Sequence, residues 1–176
     1  MLQHIMLDLE TLGTRPGDTI LSIGAVKFDV EKGLGEEFYI TIDPESSKAA
    51  GFRAQKSTLE WWDKQSEEAR KAAFKGEMAV EHALIKLTMW MPPVDFTVVW
   101  GNGANFDNAL LAAAYRIMKM DTPWKFWNDR CYRTISAMFL NKRVERVGTY
   151  HNALDDAKTQ ALRLIAMAQE SKFDLK

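Results

Sequence analysis

The stretch MLDLETLGT, residues 6–14, places two carboxylates, Asp8 and Glu10, in otherwise apolar surroundings. Side chains two positions apart on a β-strand point to the same face of a sheet. If residues 4–10 form a strand, the two acids share a face and lie about 6–7 Å apart, or two strand rises. Buried like charges at that distance repel, and one of them would protonate unless a cation lay between them. A solvated edge strand is the alternative, so the interpretation depends on whether further acids converge here.

The composition is typical of a soluble globular protein, with 47% hydrophobic and 27% charged residues. We expect residues 1–176 to form a single domain with one substantial core. The net charge of −1 excludes a bulk basic field, so a polyanion would be held by a local patch or by metal ions. The lone Cys131 excludes an intramolecular disulfide and a cysteine-based zinc site. No signal peptide or membrane-spanning run stands out, so we expect a cytoplasmic protein without membrane contact.

The first part of the chain has three strand-like segments, at residues 4–10, 19–30 and 36–43. The short, turn-like connections between them predict an antiparallel meander. Residues 57–74 then change to helical spacing. Ser57 with Glu60 three positions later is a capping-box pattern, which predicts that the helix begins at Ser57.

The second part alternates helical and strand-like segments. Residues 79–91 predict a helix that ends before two prolines, and the apolar run at 96–102 predicts a buried strand. Residues 105–120 and 151–169 have helical spacing again. Strands followed by alternating helices and strands indicate an α/β fold, with a mixed β-sheet flanked by helices.

Further acids lie where this layout would place a site. Asp107 follows the predicted buried strand as a helix begins, and ligands of α/β sheets bind outside the carboxyl ends of such strands. His151, Asp155 and Asp156 lie in HNALDDA, at the head of the last helix. Each has a structural alternative, because aspartates favour helix N-termini and a lone histidine often lies on the surface.

Taken together, the order D-x-E, then F-D, then H-x-A-x-x-D resembles the DEDDh family of 3′–5′ exonucleases over nearly the whole chain. The resemblance implies an acidic quartet of Asp8, Glu10, Asp107 and Asp156. It also implies that His151 is the family's histidine, and the family's spacing from histidine to acid selects Asp156 over Asp155. One position departs from the pattern, since Gly103 stands where the family usually has asparagine, and no asparagine contact is assigned.

The resemblance implies a ribonuclease H-like fold and a 3′–5′ exonuclease that hydrolyses single-stranded DNA or RNA 3′ ends to nucleoside 5′-monophosphates. The four carboxylates would hold two Mg²⁺ or Mn²⁺ ions, since hard cations prefer oxygen ligands. By family analogy one ion activates the attacking water and the other stabilises the leaving 3′ oxygen. His151 would act as general base, on a loop made mobile by Gly148.

The resemblance also implies substrate contacts. Thr11 and Leu12 would meet the terminal nucleotide, Leu12 as an apolar wedge beside the base. Trp61 and Trp62 are similar to the Trp-Trp signature of a phage and bacterial subgroup. Adjacent helical residues point in different directions, so we expect one tryptophan in the core and the other stacked on a base, with both in the core as the alternative. Phe106, beside Asp107, is a similar candidate.

Other questions stay open at this stage. Lys142, Arg143 and Arg146 form either a phosphate-holding patch or a solvated charged loop. The alternatives to the leading function are an oligoribonuclease-like enzyme for very short oligonucleotides, a catalytically silent nucleic-acid-binding module, and an interaction protein with a structural Ca²⁺. The choice between DNA and RNA is not predicted. A homodimer is possible, because several family members form one.

Overall fold

The computed structural model describes residues 2–139, 143–173 and 175. Its sheet contains β1 (Gln3–Thr11), β2 (Ile20–Asp29), β3 (Gly33–Thr41), β4 (Thr97–Gly101) and β5 (Asp129–Cys131). The spatial order is β3-β2-β1-β4-β5. β1, β2 and β3 pair antiparallel, whereas β4 is parallel to both β1 and β5. The predicted α/β fold, with an antiparallel meander inside a mixed sheet, is therefore confirmed.

Seven α-helices fall within the described part of the chain. They are α1 (Pro44–Ala49), α2 (Lys56–Trp62), α3 (Glu67–Phe74), α4 (Val80–Trp90), α5 (Ala109–Ile117), α6 (Tyr132–Met138) and α7 (Ala153–Ser171). In the same described part, none of these helices is both long enough and apolar enough to cross a membrane.

Different helices cover the two faces of β1. Ile5, Leu7 and Leu9 pack with side chains of α4 and α5 in one apolar cluster. Met6 belongs to a second cluster, which contains the apolar stripe of α7. Each such side chain that is fully buried stabilises the fold by roughly 1.5–3 kcal/mol. Since strand side chains alternate, Asp8 and Glu10 continue the face of β1 that α7 covers.

The single helix predicted for residues 57–74 is wrong. α2 begins at Lys56, after Gln55, whose side chain makes no capping hydrogen bond, so the capping box at Ser57 is not formed. α2 ends at Trp62, and α3 begins after Ser66, whose hydroxyl accepts a hydrogen bond from the backbone N–H of Ala69. Ser66 is a favourable N-cap with acidic residues following it, and this local signal starts a second helix.

Sequence patterns missed the short elements α1, β5 and α6. β5 has three residues and α6 has seven, so neither is long enough to show a clear period. The helix predicted for residues 105–120 begins instead as a π-helical turn, Ala104–Asn108, and continues as α5. Such turns are rare and often lie at functional sites.

Candidate active site

The first two acids lie at the end of β1. Asp8 and Glu10 flank Leu9, whose backbone N–H donates to Oδ1 of Asp107 at 3.3 Å. β1 is held on both edges, by β2 and by β4, so the strand itself sets the spacing of the two carboxylates. Glu10 is 8% exposed.

A π-helical turn after β4 brings Asp107 to the same place. Asn108 anchors the turn, because its Nδ2 donates to the backbone oxygen of Val99 at 3.0 Å and to Oδ1 of Asp129 at 2.8 Å. Gly101 allows this close approach, since a Cβ atom there would lie 2.2 Å from Oδ1 of Asn108. Asp107 itself is 1% exposed.

The N-terminus of α7 supplies the last acid and the histidine. Asn152 caps this helix, with Oδ1 accepting from the backbone N–H groups of Leu154 and Asp155, both at 3.1 Å. His151 has a left-handed φ of 60°. Its backbone N–H donates to Oδ2 of Asp156 at 3.1 Å. α7 begins at Ala153, two residues later than the predicted segment. The backbone hydrogen bond links the histidine directly to the acid.

The geometry suits a divalent cation. Asp8, Glu10 and Asp156 each have a carboxylate oxygen that lies within 4.8 Å of the others. Asp107 does not belong to this group of three, but its Oδ2 is buried and has no hydrogen-bond partner among the described residues. A buried carboxylate oxygen without a donor is costly, and a cation would satisfy it.

The electrostatics lead to the same conclusion. Burial, followed by the charges of Asp156 and Asp107, raises the pKa of Glu10 to about 8, and the Arg146 guanidinium opposes the rise. Burial raises the pKa of Asp107 to about 7, against hydrogen bonds from backbone N–H groups. The pKa of Asp8 is also well above its ordinary range, through burial first and the neighbouring carboxylates second. Several anions together are unfavourable here without a positive charge.

Trp61 and Trp62 differ in exposure. Trp62 is 2% exposed, and its indole N–H donates to the backbone oxygen of Thr11 at 2.9 Å. Trp61 is 40% exposed. The His151 ring stands edge-on to Trp61, with the ring centres 4.9 Å apart, and lies 6.4 Å from Trp62. One tryptophan therefore packs in the core, and the other presents a surface beside the histidine.

A cavity of about 620 Å³ brings most of the predicted residues together. Its lining includes Asp8, Glu10, Thr11, Trp61, Trp62, Phe106, His151 and Asp156. Two predicted residues do not line it. Asp107 lies buried behind the cavity, and Leu12 packs in an apolar cluster with Leu21 and Trp62. Leu12 is thus buried in this structure, and its contact with a terminal nucleotide stays a prediction.

The three residues of the predicted basic patch do not lie together as one surface in the described part of the chain. Lys142 lies outside the described residues, and Arg143 is exposed and does not line the cavity. Arg146 instead pairs with Asp156, with Nη1 lying 2.6 Å from Oδ1, and stacks over the Tyr150 ring at 3.9 Å. Arg146 therefore belongs to the acidic site.

Sequence reasoning missed several polar residues of the cavity, among them Asn102, Arg133 and Gln160. Gln160 could have been found, because it lies four positions after Asp156 on the same helical face. Arg133 lies on α6, for which no pattern predicted a helix. Asn102 directly precedes Gly103, the position at which the sequence departs from the family pattern.

Comparisons with known proteins bear on this site. A family model described as a 3′-5′ exoribonuclease Rv2179c-like domain matches residues 3–167. An exodeoxyribonuclease of Enterobacteria phage T4 is 29% identical, and the match covers 77% of this chain and 71% of that protein. The family match thus spans most of the chain, and the four acids and the histidine lie within its range.

Solved structures share the fold. The nuclease domain of 3'hExo, a DEDDh family member bound to rAMP, has a TM-score of 0.64 at 13% identity, covering 96% of this chain and 92% of that one. S. pombe Pop2p, in a form with Mg²⁺ and Mn²⁺ bound, has a TM-score of 0.62 at 14% identity, covering 94% and 82%. Cell-death related nuclease 4 has a TM-score of 0.61 at 11% identity, and the match covers 96% of this chain but only 64% of that longer one.

These matches agree with the ribonuclease H-like sheet. The chain therefore belongs to the 3′-5′ exoribonuclease Rv2179c-like domain family, and it is a 3′–5′ exonuclease that shares the fold of a DEDDh family member.

Proposed function

We propose that this exonuclease removes nucleoside 5′-monophosphates from the 3′ ends of single-stranded nucleic acid, with two divalent cations held by Asp8, Glu10, Asp107 and Asp156. The observation that carries the proposal is the convergence of these four acids beside one open cavity. Three of them have oxygens within 4.8 Å of one another, and the fourth has a buried oxygen without a donor among the described residues.

Mg²⁺ or Mn²⁺ fits this donor set, because both cations prefer carboxylate oxygens. The Pop2p structure, which contains both ions, supports the same choice. When bound, such ions act as Lewis acids and make a coordinated water more acidic. A site of carboxylates whose pKa values are raised would bind metal better as the pH rises, since the ligands must be ionised.

His151 is the proposed general base. Its ring lies at the edge of the cavity, and its backbone is fixed by the hydrogen bond to Asp156. A neutral imidazole nitrogen accepts a proton near neutral pH, which suits removal of a proton from the attacking water. The edge-on contact with Trp61 helps to orient the ring.

The exposed aromatic and basic side chains of the cavity support a single-stranded substrate. Trp61 and Phe106 offer surfaces on which bases stack. Arg133 lines the cavity and is exposed, so its guanidinium suits a backbone phosphate. The 3'hExo nuclease domain, which shares this fold, is bound to rAMP, and this supports a nucleotide ligand.

The cavity is open to solvent, which favours strands longer than a dinucleotide over the oligoribonuclease-like alternative. A silent binding module or a structural Ca²⁺ site would not require the histidine. The family description names RNA and the phage relative names DNA, so both substrates belong in the test. Homodimer formation and a cytoplasmic location stay predictions.

The experiment uses matched single-stranded DNA and RNA, labelled at one end, with Mg²⁺, Mn²⁺ or EDTA. A 5′ label should give a descending ladder, and a 3′ label should give labelled mononucleotide at once. EDTA should stop both reactions. Cleavage of a circular single strand at a comparable rate, or full activity in EDTA, would contradict the proposal.

A further inference from the structure

A glutamine outside the acidic quartet holds one of its members. Gln160 follows Asp156 by one turn of α7, so both side chains project toward β1. Nε2 of Gln160 donates to Oδ1 of Asp8 at 2.8 Å. Gln160 is 8% exposed and lines the cavity. This hydrogen bond links the last helix to the first acid of the site.

The amide has a defined orientation. Gln160 presents its NH₂ group to Asp8 and keeps its carbonyl oxygen away, which is the orientation that a metal-bound, ionised Asp8 requires, because an ionised carboxylate only accepts hydrogen bonds. That oxygen, Oε1, is buried and lacks a hydrogen-bond partner among the protein atoms that the structure describes. A buried unpaired amide oxygen destabilises the fold. Stability alone therefore does not explain a glutamine at this position.

We propose that Gln160 is a positioning residue, which fixes Oδ1 of Asp8 and so directs the other oxygen of Asp8 toward the cation site shared with Glu10 and Asp156. This inference rests on the proposed function, because it requires a metal at the quartet. Hydrogen bonds that orient a ligating carboxylate are typically worth about 10–100-fold in metal affinity. An Asp8 carboxylate without the amide can rotate, so the site is less well formed before metal binds.

The same helix offers a matched control. Gln169 also lies on α7 and also donates from Nε2, to the backbone oxygen of Val30 at 2.7 Å. This hydrogen bond is exposed and lies away from the quartet. Methionine has nearly the length of glutamine but no donor, so Gln160→Met and Gln169→Met remove the same group from two places.

The test measures Mn²⁺ binding by calorimetry without substrate, on the full chain, with thermal melting in EDTA as the check on folding. Gln160→Met should bind Mn²⁺ roughly 10–100-fold more weakly than the wild type, and Gln169→Met should bind normally. Adding Gln160→Met to Asp8→Asn should weaken binding no further, because Gln160 acts through Asp8. Gln160→Asn keeps an amide but is one methylene shorter. It should also bind more weakly, and it serves if Gln160→Met does not fold.

A folded Gln160 variant that binds Mn²⁺ as tightly as the wild type would overturn the inference. Full additivity with Asp8→Asn would do the same, since it would show that Gln160 acts independently of Asp8. A wild type that binds no Mn²⁺ would instead overturn the proposed function, and this inference with it. The two failures are therefore distinguishable.

Discussion

Asp8 and Glu10 lie on a strand that is paired along both edges, whereas His151 lies in the segment before α7. The strand is buried by apolar side chains on both faces. His151, by contrast, is held by a left-handed backbone, one hydrogen bond to Asp156 and the edge of Trp61. The core thus sets the positions of Asp8 and Glu10, which are proposed metal ligands, and a few local contacts set the position of His151, the proposed base. Substitutions should therefore affect the metal ligands and the base separately.

The largest effect should come from removing a ligand charge. Asp107→Asn should reduce cleavage by roughly 10³-fold or more, because it changes both the charge and the donor strength of a buried ligand. The metal-free protein should melt at a higher temperature, since the variant removes an unfavourable buried carboxylate. Cleavage assays at saturating Mn²⁺ and thermal melting in EDTA measure the two effects. The exposed Asp121→Asn is the control, and near-normal turnover of Asp107→Asn would exclude Asp107 as a ligand.

Loss of the base should cost less than loss of a ligand. His151→Ala should slow the chemical step by about 10²–10⁴-fold, the range typical of a lost acid–base group. Metal affinity should survive, because the four carboxylates remain. Single-turnover rates at saturating Mn²⁺ measure the chemical step, and calorimetry without substrate measures the Mn²⁺ affinity. His82→Ala, an exposed histidine on α4, is the matched control. A His151→Ala variant that keeps the wild-type single-turnover rate would remove His151 from the mechanism.

A smaller effect should follow from disturbing the segment that carries His151. Gly148 has a φ of 61°, and a Cβ atom there would lie 2.1 Å from a carboxylate oxygen of Asp155. That carboxylate accepts the backbone N–H of Thr149 at 2.8 Å, so Gly148→Ala should displace the segment. We expect a roughly 10-fold loss of the single-turnover rate, with Mn²⁺ affinity unchanged.

Gly51→Ala is the control for this change. Gly51 has a φ of 93°, and a Cβ atom there meets nothing within 4 Å. It therefore carries a comparable backbone strain without a collision near the site. If Gly51→Ala and Gly148→Ala lose the same activity, the segment has no special role. If Gly148→Ala loses Mn²⁺ affinity instead, the ligands and the segment are not separable.

The smallest effect that we expect is a dependence of the melting temperature on pH. The folded pKa of Glu10, about 8, lies above its ordinary value of 4.5. The unfolded chain releases this proton first, so the metal-free protein should lose stability as the pH rises through that window. The expected decrease is several degrees, at roughly 2–4 °C per kcal/mol for a chain of this size. Thermal melting in EDTA at a series of pH values should show this decrease in melting temperature. The decrease should be smaller in Glu10→Gln, which lacks the titrating carboxyl group. Equal slopes for the two proteins would contradict the raised pKa.

The sequence predicted the elements that have a long, regular pattern. Residues 4–10 and 151–169 proved to be β1 and most of α7, because burial against a core imposes a clear period on both. The order of acids and histidine predicted the quartet and its histidine. The structure brings Asp8, Glu10, Asp156 and His151 to one cavity, and Asp107 is hydrogen-bonded to Leu9 beside them.

The remaining features depend on tertiary contacts. α2 ends at Trp62, which is buried and donates a hydrogen bond to the backbone oxygen of Thr11. No local sequence signal marks that contact. Leu12 and Leu21 meet only because β1 and β2 pair, so the burial of Leu12 could not be inferred from its neighbours in sequence. Arg133 reaches the cavity through α6, which is too short to show a period.

The central claim is that the four carboxylates of Asp8, Glu10, Asp107 and Asp156, and not His151, hold two divalent cations. Its most direct test is the Mn²⁺ stoichiometry and affinity of the wild type, Asp107→Asn and His151→Ala, measured by calorimetry without substrate. We predict two ions per chain in the wild type, the same in His151→Ala, and weakened or incomplete binding in Asp107→Asn. A wild type that binds no Mn²⁺, or an Asp107→Asn variant that binds two ions with unchanged affinity, would contradict the account.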